Sequence, residues 1–153
     1  MKGKFKKAFM DCAERFAQLS TAKRLQVGSI IVKDNRIISI GYNGMPSGWD
    51  NECEYEVANE RHVYVEPGKP KVVSMKSKPE VLHAEANAIT KMARSSESCD
   101  GAEIFCTHMP CMECAKLIYQ SGITKLYYNH DYVAAKGSGQ RFLVECGIEL
   151  EQV

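Results

Sequence analysis

Two short segments between residues 81 and 115 constrain this chain more than anything else in it. One reads Val81-Leu82-His83-Ala84-Glu85-Ala86-Asn87-Ala88-Ile89, the other Thr107-His108-Met109-Pro110-Cys111-Met112-Glu113-Cys114-Ala115. One histidine and two cysteines make three protein ligands, which suits a catalytic zinc that keeps its fourth position for water. Cys111 and Cys114 stand three apart, so one helical turn points both sulfurs to the same side. Pro110 is expected in the first turn of that helix, where its missing N–H does no harm. The positive end of the helix favours thiolate over thiol. Glu85, two residues past His83, can reach a water on the metal without being a ligand. A purely structural zinc site closes with four protein ligands and has no use for that carboxylate. The chain is therefore expected to bring two helix starts together around one metal ion.

At 153 residues the chain is long enough to bury a full core without disulfides, and one domain spanning 1–153 is expected. Hydrophobic residues are 44% and charged residues 25%, a globular composition, and no apolar run approaches the ~18–20 residues that span a bilayer. The start, Met1-Lys2-Gly3-Lys4-Phe5-Lys6-Lys7, has charge but no apolar stretch after it, unlike a signal peptide. Seven cysteines form no regular framework, which fits a reducing cytoplasm. A net charge of +1 argues against a polynucleotide partner held on a concentrated basic face. It leaves room for a small anionic substrate, which needs only one or two well-placed cations.

Apolar residues at Phe5, Phe9, Cys12, Ala13, Phe16 and Leu19 recur in steps of three and four, predicting an amphipathic helix over 5–19. Val27–Val32 and Ile37–Ile40 read as two strands joined by a tight turn at Asp34-Asn35, both covered on each face. Gly41-Tyr42-Asn43-Gly44-Met45-Pro46-Ser47-Gly48 reads as a loop. Residues from about 50 to 80 read as an insertion with one short helix. A helix follows His83 and runs through Arg94. A strand at 103–107 leads into the Cys111 helix, which Gly122 stops. A strand at 125–129, a helix at 137–146 and a last strand at 148–153 complete an α/β pattern.

The pattern H-x-E…P-C-x-x-C is the signature of zinc-dependent nucleobase deaminases. From residue 24 onward the chain resembles the deoxycytidylate deaminase branch of the cytidine deaminase superfamily. The residues that carry the resemblance are Arg24-Leu25-Gln26-Val27-Gly28, Gly41-Tyr42-Asn43-Gly44 with Pro46 and Gly48, and Cys53-Glu54. They continue with His83-Ala84-Glu85, Asn87-Ala88-Ile89, Pro110-Cys111-x-x-Cys114-Ala115-Lys116 and Gly122-Ile123. The chain departs from the branch at Ala22 and Leu25, where cysteine and arginine are common.

The resemblance implies a three-layer α/β/α fold with a mixed five-stranded sheet, and hydrolysis of dCMP to dUMP and ammonia at a zinc-activated water. It implies His83, Cys111 and Cys114 as zinc ligands and Glu85 as the catalytic proton carrier. Arg24 is implied at the 5′-phosphate, Asn43 at the sugar hydroxyl, and Ala84, Pro110 and Tyr132 around the base. It also implies a homo-oligomer, typically a hexamer, activated by dCTP and inhibited by dTTP with Mg²⁺ on the triphosphate. Gly41, Tyr42, Gly44 and Arg94 are the implied effector or interface residues, with Lys69 and Lys71 as further charge. Cys53, Cys106 and His62 raise the question of a second zinc, but their spacing assembles no fourth ligand. The alternatives are a tRNA adenosine or other polynucleotide or nucleobase deaminase, and a zinc-stabilised interaction module.

Overall fold

The computed structural model describes residues 1–58, 73–133 and 137–153. Five strands form the main sheet: β1 (Gly28–Lys33), β2 (Arg36–Tyr42), β5 (Glu103–His108), β6 (Lys125–His130) and β7 (Glu149–Gln152), in the order β2-β1-β5-β6-β7. β1 runs antiparallel to both β2 and β5, whereas β5, β6 and β7 are mutually parallel. The sheet is thus mixed, as expected.

The strands sort their side chains by the two-residue period of a pleated sheet. Ile30, Val32, Phe105 and Tyr127 point to one face and bury Met10 and Ala13 of α1 (Gly3–Ala17). Phe105 and Tyr127 stack there with ring centroids 4.3 Å apart. Ile31, Ile104, Cys106, Leu126 and Tyr128 point to the other face. They meet Ala88 and Met92 of α2 (Ala84–Met92), Ala115 and Ile118 of α3 (Met112–Gln120), and Leu143 of α4 (Gln140–Glu145). Because neighbouring residues serve opposite cores, these strands read as nearly continuous apolar runs. The result is three layers, with α1 on one side and α2, α3 and α4 on the other.

The turn between β1 and β2 is built by Asp34 and Asn35 at φ values of 50° and 57°, the left-handed pair that matches strand twist in a two-residue hairpin. Gly122 follows α3 at φ 82°, where a residue without Cβ closes a helix at least cost.

The segment expected as an insertion with one short helix is different. Its described parts form an antiparallel pair of their own, β3 (Glu54–Ala58) with β4 (Val73–Ser77), and no helix occurs there among the described residues. Tyr55 and Val57 alternate with Glu54 and Glu56, a period of two that favours strand over helix. The excursion is closed at its base by paired backbone hydrogen bonds between Gly44 and Leu82, at 3.1 and 2.9 Å. Among the described residues no helix is long and apolar enough to cross a membrane.

Candidate metal centre and substrate cavity

His83 and Cys111 occupy the same position on two helices. His83 is the N-cap of α2 and Cys111 the N-cap of α3, both with extended backbone. This revises the placement of Pro110, which lies just outside α3 rather than in its first turn. Proline favours extended backbone in the residue before it, and here the Cys111 carbonyl accepts the first α3 hydrogen bond, from Ala115 N–H at 2.9 Å. Pro110 is fully buried, its carbonyl accepts Gly139 N–H at 2.9 Å, and it is not in the cavity wall described below.

Three side-chain bonds hold α2 on β2 and so aim His83. Ser39 Oγ donates to the Ala88 carbonyl at 2.7 Å, Asn87 Nδ2 to the Tyr42 carbonyl at 3.1 Å, and Lys91 Nζ to the Ile40 carbonyl at 2.7 Å.

His83 Nδ1 stands 3.5 Å from Cys111 Sγ and 3.4 Å from Cys114 Sγ. These three are the one group of at least three potential metal donors among the described residues. A tetrahedral zinc with nitrogen at ~2.0–2.1 Å and sulfur at ~2.3 Å spreads a nitrogen and a sulfur about 3.5 Å apart. The donor set therefore fits zinc in both chemistry and spacing. A hydrogen bond from the Cys114 thiol holds Cys111 well below the ordinary thiol range, and the same bond pushes Cys114 up. A zinc ion would bind both sulfurs as thiolates.

Glu85 is buried in the first turn of α2. Burial raises its pKa; a backbone hydrogen bond and the charge of His83 oppose the shift. His83, Ala84, Glu85 and Cys111 lie together in the wall of a cavity of about 680 Å³. Arg24, Asn43, His108 and Tyr132 line the same cavity, as do Glu54, Tyr55, Ser77 and Lys78.

The expected substrate residues meet here with different freedom. Arg24 is exposed, and its guanidinium Nη1 donates to Ser77 Oγ at 3.3 Å. Asn43 spends much of its amide on the chain itself: Oδ1 accepts Val27 N–H at 2.8 Å and Nδ2 donates to the Leu25 carbonyl at 2.8 Å. Tyr132 stands edge-on to His108, with ring centroids 6.0 Å apart. His108 Nδ1 is 2.9 Å from Thr107 Oγ1, which accepts Gly28 N–H at 3.1 Å. Burial and the neighbouring His130 lower the His108 pKa.

Gly41 and Tyr42 belong to β2 rather than to a loop, and Gly41 is packed against the backbone of Ala84 and Ala88. Its missing side chain serves this close approach. Gly44 has open space around it, and Arg94 is exposed just beyond α2. Lys69, Lys71 and His62 lie outside the described residues. Cys53 is buried 3.5 Å from Thr21 Oγ1, and Cys106 is buried 3.5 Å from Ser29 Oγ, so each has a partner other than a metal.

The spacing of motifs missed Glu54, Tyr55, Ser77 and Lys78 as cavity residues. All four come from the excursion closed by Gly44 and Leu82, and only an acid directly after Cys53 hinted at a wall.

A histidine and two cysteines at two converging helix starts, with a buried glutamate beside them, define a zinc-dependent hydrolase of the deaminase class. Residues 4–130 match the family model described as the cytidine and deoxycytidylate deaminase zinc-binding region. The deoxycytidylate deaminase of Enterobacteria phage T4 is 37% identical, over 84% of this chain and 79% of that protein. The human deoxycytidylate deaminase is 39% identical, over 80% of this chain and 63% of that protein. The crystal structure of the dCMP deaminase of cyanophage S-TIM5 in complex with dCMP and dUMP superposes with a TM-score of 0.83. That protein is 44% identical, and the match covers 100% of this chain and 99% of the other. The chain belongs to the cytidine and deoxycytidylate deaminase family.

Proposed function

We propose that the chain hydrolyses dCMP to dUMP and ammonia, with Glu85 moving the protons. The observation that carries this reading is the cavity itself, which has His83, Glu85 and Cys111 in its wall and the cation Arg24 in the same wall. Zinc held by His83 Nδ1 and the sulfurs of Cys111 and Cys114 supplies a Lewis acid that lowers the pKa of water by several units.

Glu85 takes a proton from the attacking water and passes it to N3 of cytosine; it then takes the remaining proton from the new C4 hydroxyl and gives it to the amine, which leaves C4 as ammonia while the C4 carbonyl forms. Its burial supports this double use, because desolvation raises the pKa of the carboxyl and makes it a better proton acceptor than an exposed glutamate. Ala84 N–H, among the first amides of α2, has no partner within the helix, which supports a role as donor to the pyrimidine carbonyl. Tyr132 flanks the base, and Asn43 keeps one N–H and one lone pair for the sugar. Arg24 takes the 5′-phosphate at the exposed rim.

The product is a precursor of thymidine nucleotides, and control by dCTP and dTTP with Mg²⁺ in a homo-oligomer belongs to the same reading. The resemblance of the chain to its branch supports that part. The deciding experiment is ammonia release from dCMP, dCTP, deoxycytidine, CMP, guanine and an adenosine-containing tRNA stem-loop. dCMP is expected to be the preferred substrate. Release from the stem-loop or guanine alone would overturn the assignment.

A further inference from the structure

Glu54, at the start of β3, is only 7% exposed and stands in the cavity wall. Its Oε1 accepts the backbone N–H groups of Lys23 at 2.9 Å and Arg24 at 3.1 Å. Its Oε2 is buried and has no hydrogen-bond partner, the one buried side-chain nitrogen or oxygen in that condition among the described residues. An acceptor taken out of water and left without a donor is destabilising. One that persists beside a ligand cavity calls for an account in terms of what fills the cavity.

Resting on the dCMP reading, we propose that Glu54 Oε2 accepts the 3′-hydroxyl of the substrate sugar and makes the enzyme selective for nucleotides that carry it. An ionised carboxylate only accepts hydrogen bonds. At neutral pH dCMP offers two kinds of donor, the 4-amino group and the 3′-hydroxyl; its carbonyl, N3 and phosphate oxygens are acceptors. The amino group departs from the carbon served by Glu85, which leaves the hydroxyl for Glu54.

Placement agrees with this elimination. Arg24 links the two ends of the contact, since its N–H rests on Glu54 Oε1 and its guanidinium reaches Ser77 Oγ. The 3′-hydroxyl and the 5′-phosphate are neighbours on one small ring, so adjacent protein groups must meet them. Glu54 and Arg24 are such a pair, with opposite charges suited to a donor and an anion. Asn43 then holds residues 25–27 in place and leaves the charge-assisted contact to Glu54.

The test compares kcat/KM for dCMP, its 2′,3′-dideoxy analogue and its 3′-amino-2′,3′-dideoxy analogue on the full, zinc-loaded chain. The unaltered protein should favour dCMP over the dideoxy compound by roughly tenfold to a hundredfold. It should accept the 3′-amino compound, which is still a donor, far better than the dideoxy one. Glu54→Gln keeps an oxygen for Lys23 and Arg24 and replaces Oε2 with a donor. In that variant the preference for dCMP over the dideoxy compound should collapse to about twofold or less, with zinc content and Tm retained. An undiminished preference in Glu54→Gln would overturn the proposal and leave Glu54 as a backbone anchor with water on Oε2. Equal rates on dCMP and the dideoxy compound in the unaltered protein would overturn it without any variant. No turnover of dCMP at all would defeat the deaminase reading itself, a different and separately visible failure.

Discussion

Gly41 and Ala84 touch backbone to backbone: a Cβ built on Gly41 would overlap the carbonyl oxygen of Ala84 and crowd the Ala88 amide. Ala84 opens the helix that carries Glu85 and is capped by His83. The closeness of β2 to that helix is therefore part of the metal geometry. Gly41→Ala is expected to cost on the order of 1–3 kcal/mol through overpacking, and to lower zinc content. Gly44→Ala, where no atom lies within 4 Å of the added Cβ, should change stability by less than about 0.5 kcal/mol. Denaturant titration with metal analysis of both variants checks the contrast; equal behaviour would refute it.

Roles at the metal separate by what each variant keeps. Glu85→Gln should lose turnover by on the order of 10²–10⁴-fold while still binding zinc. His83→Ala and Cys111→Ala should lose zinc and activity together, because metal binding and local folding are coupled. Zinc per chain, measured beside ammonia release, distinguishes the two. Substantial activity in Glu85→Gln would mean that another group moves the protons.

Arg24 should reveal itself through the phosphate. One charge-assisted contact corresponds to about 1.5–3 kcal/mol, so deoxycytidine should be roughly tenfold to a hundredfold poorer than dCMP in kcat/KM. Arg24→Ala should narrow that gap by acting on dCMP. If the gap survives the substitution, another cation holds the phosphate; Lys78 is in the same wall.

Acid should unlock the contact between α1 and β7. Lys6 Nζ and Glu151 Oε1 are 2.6 Å apart, and Lys125 Nζ is 3.2 Å from Glu151 Oε2. The hydrogen bond from Lys6 holds the Glu151 pKa below its ordinary value, with Lys125 assisting. A carboxylate lowered on folding stabilises the fold above its unfolded pKa, and loses that contribution as pH falls through its folded pKa. Glu151→Gln should therefore lower Tm near pH 7 and converge with the unaltered protein in acid. A difference that grows on acidification would contradict the assignment.

Regulation has its own kinetic signature. A second nucleotide site that differs between two conformations makes the dCMP saturation curve sigmoidal. With Mg²⁺ present, dCTP should make that curve hyperbolic and dTTP should shift it to higher dCMP. Hyperbolic kinetics indifferent to both would remove the effector site and leave the chemistry at Glu85 untouched.

The elements that the sequence predicts best are those whose partners are near in the chain or whose burial is two-sided. Val27–Val32 and Ile37–Ile40 announce β1 and β2, and Asp34-Asn35 announces the turn between them. His83 with Glu85, and Cys111 with Cys114, are short-range pairs, so their chemistry can be read from spacing. What brings the pairs together is tertiary; the need of one metal ion for three ligands anticipated it, and no local pattern did. The β3–β4 pair was obscured because Glu54 and Glu56 look like solvated charge, although Glu54 is buried. Pro110 was misplaced because proline is as compatible with the residue before an N-cap as with the first turn. The bond from Arg24 N–H to Glu54 spans a distance in the chain that no local pattern reports.

The Gly44–Leu82 bridge acts as a splice point. Gly44 and Leu82 are joined by one pair of backbone bonds where the β3–β4 excursion meets the scaffold, while His83, beyond Leu82, is aimed by ties from α2 to β2. Exchanging the excursion should therefore leave the zinc ligands in place, while the bonds of Glu54 and Ser77 to Lys23 and Arg24 change with it. Glu54, Tyr55, Ser77 and Lys78 travel with the excursion, whereas Glu85 stays with the scaffold. A graft of a relative's excursion between Gly44 and Leu82 should import that relative's preference among nucleotides while the proton-moving machinery remains this chain's own.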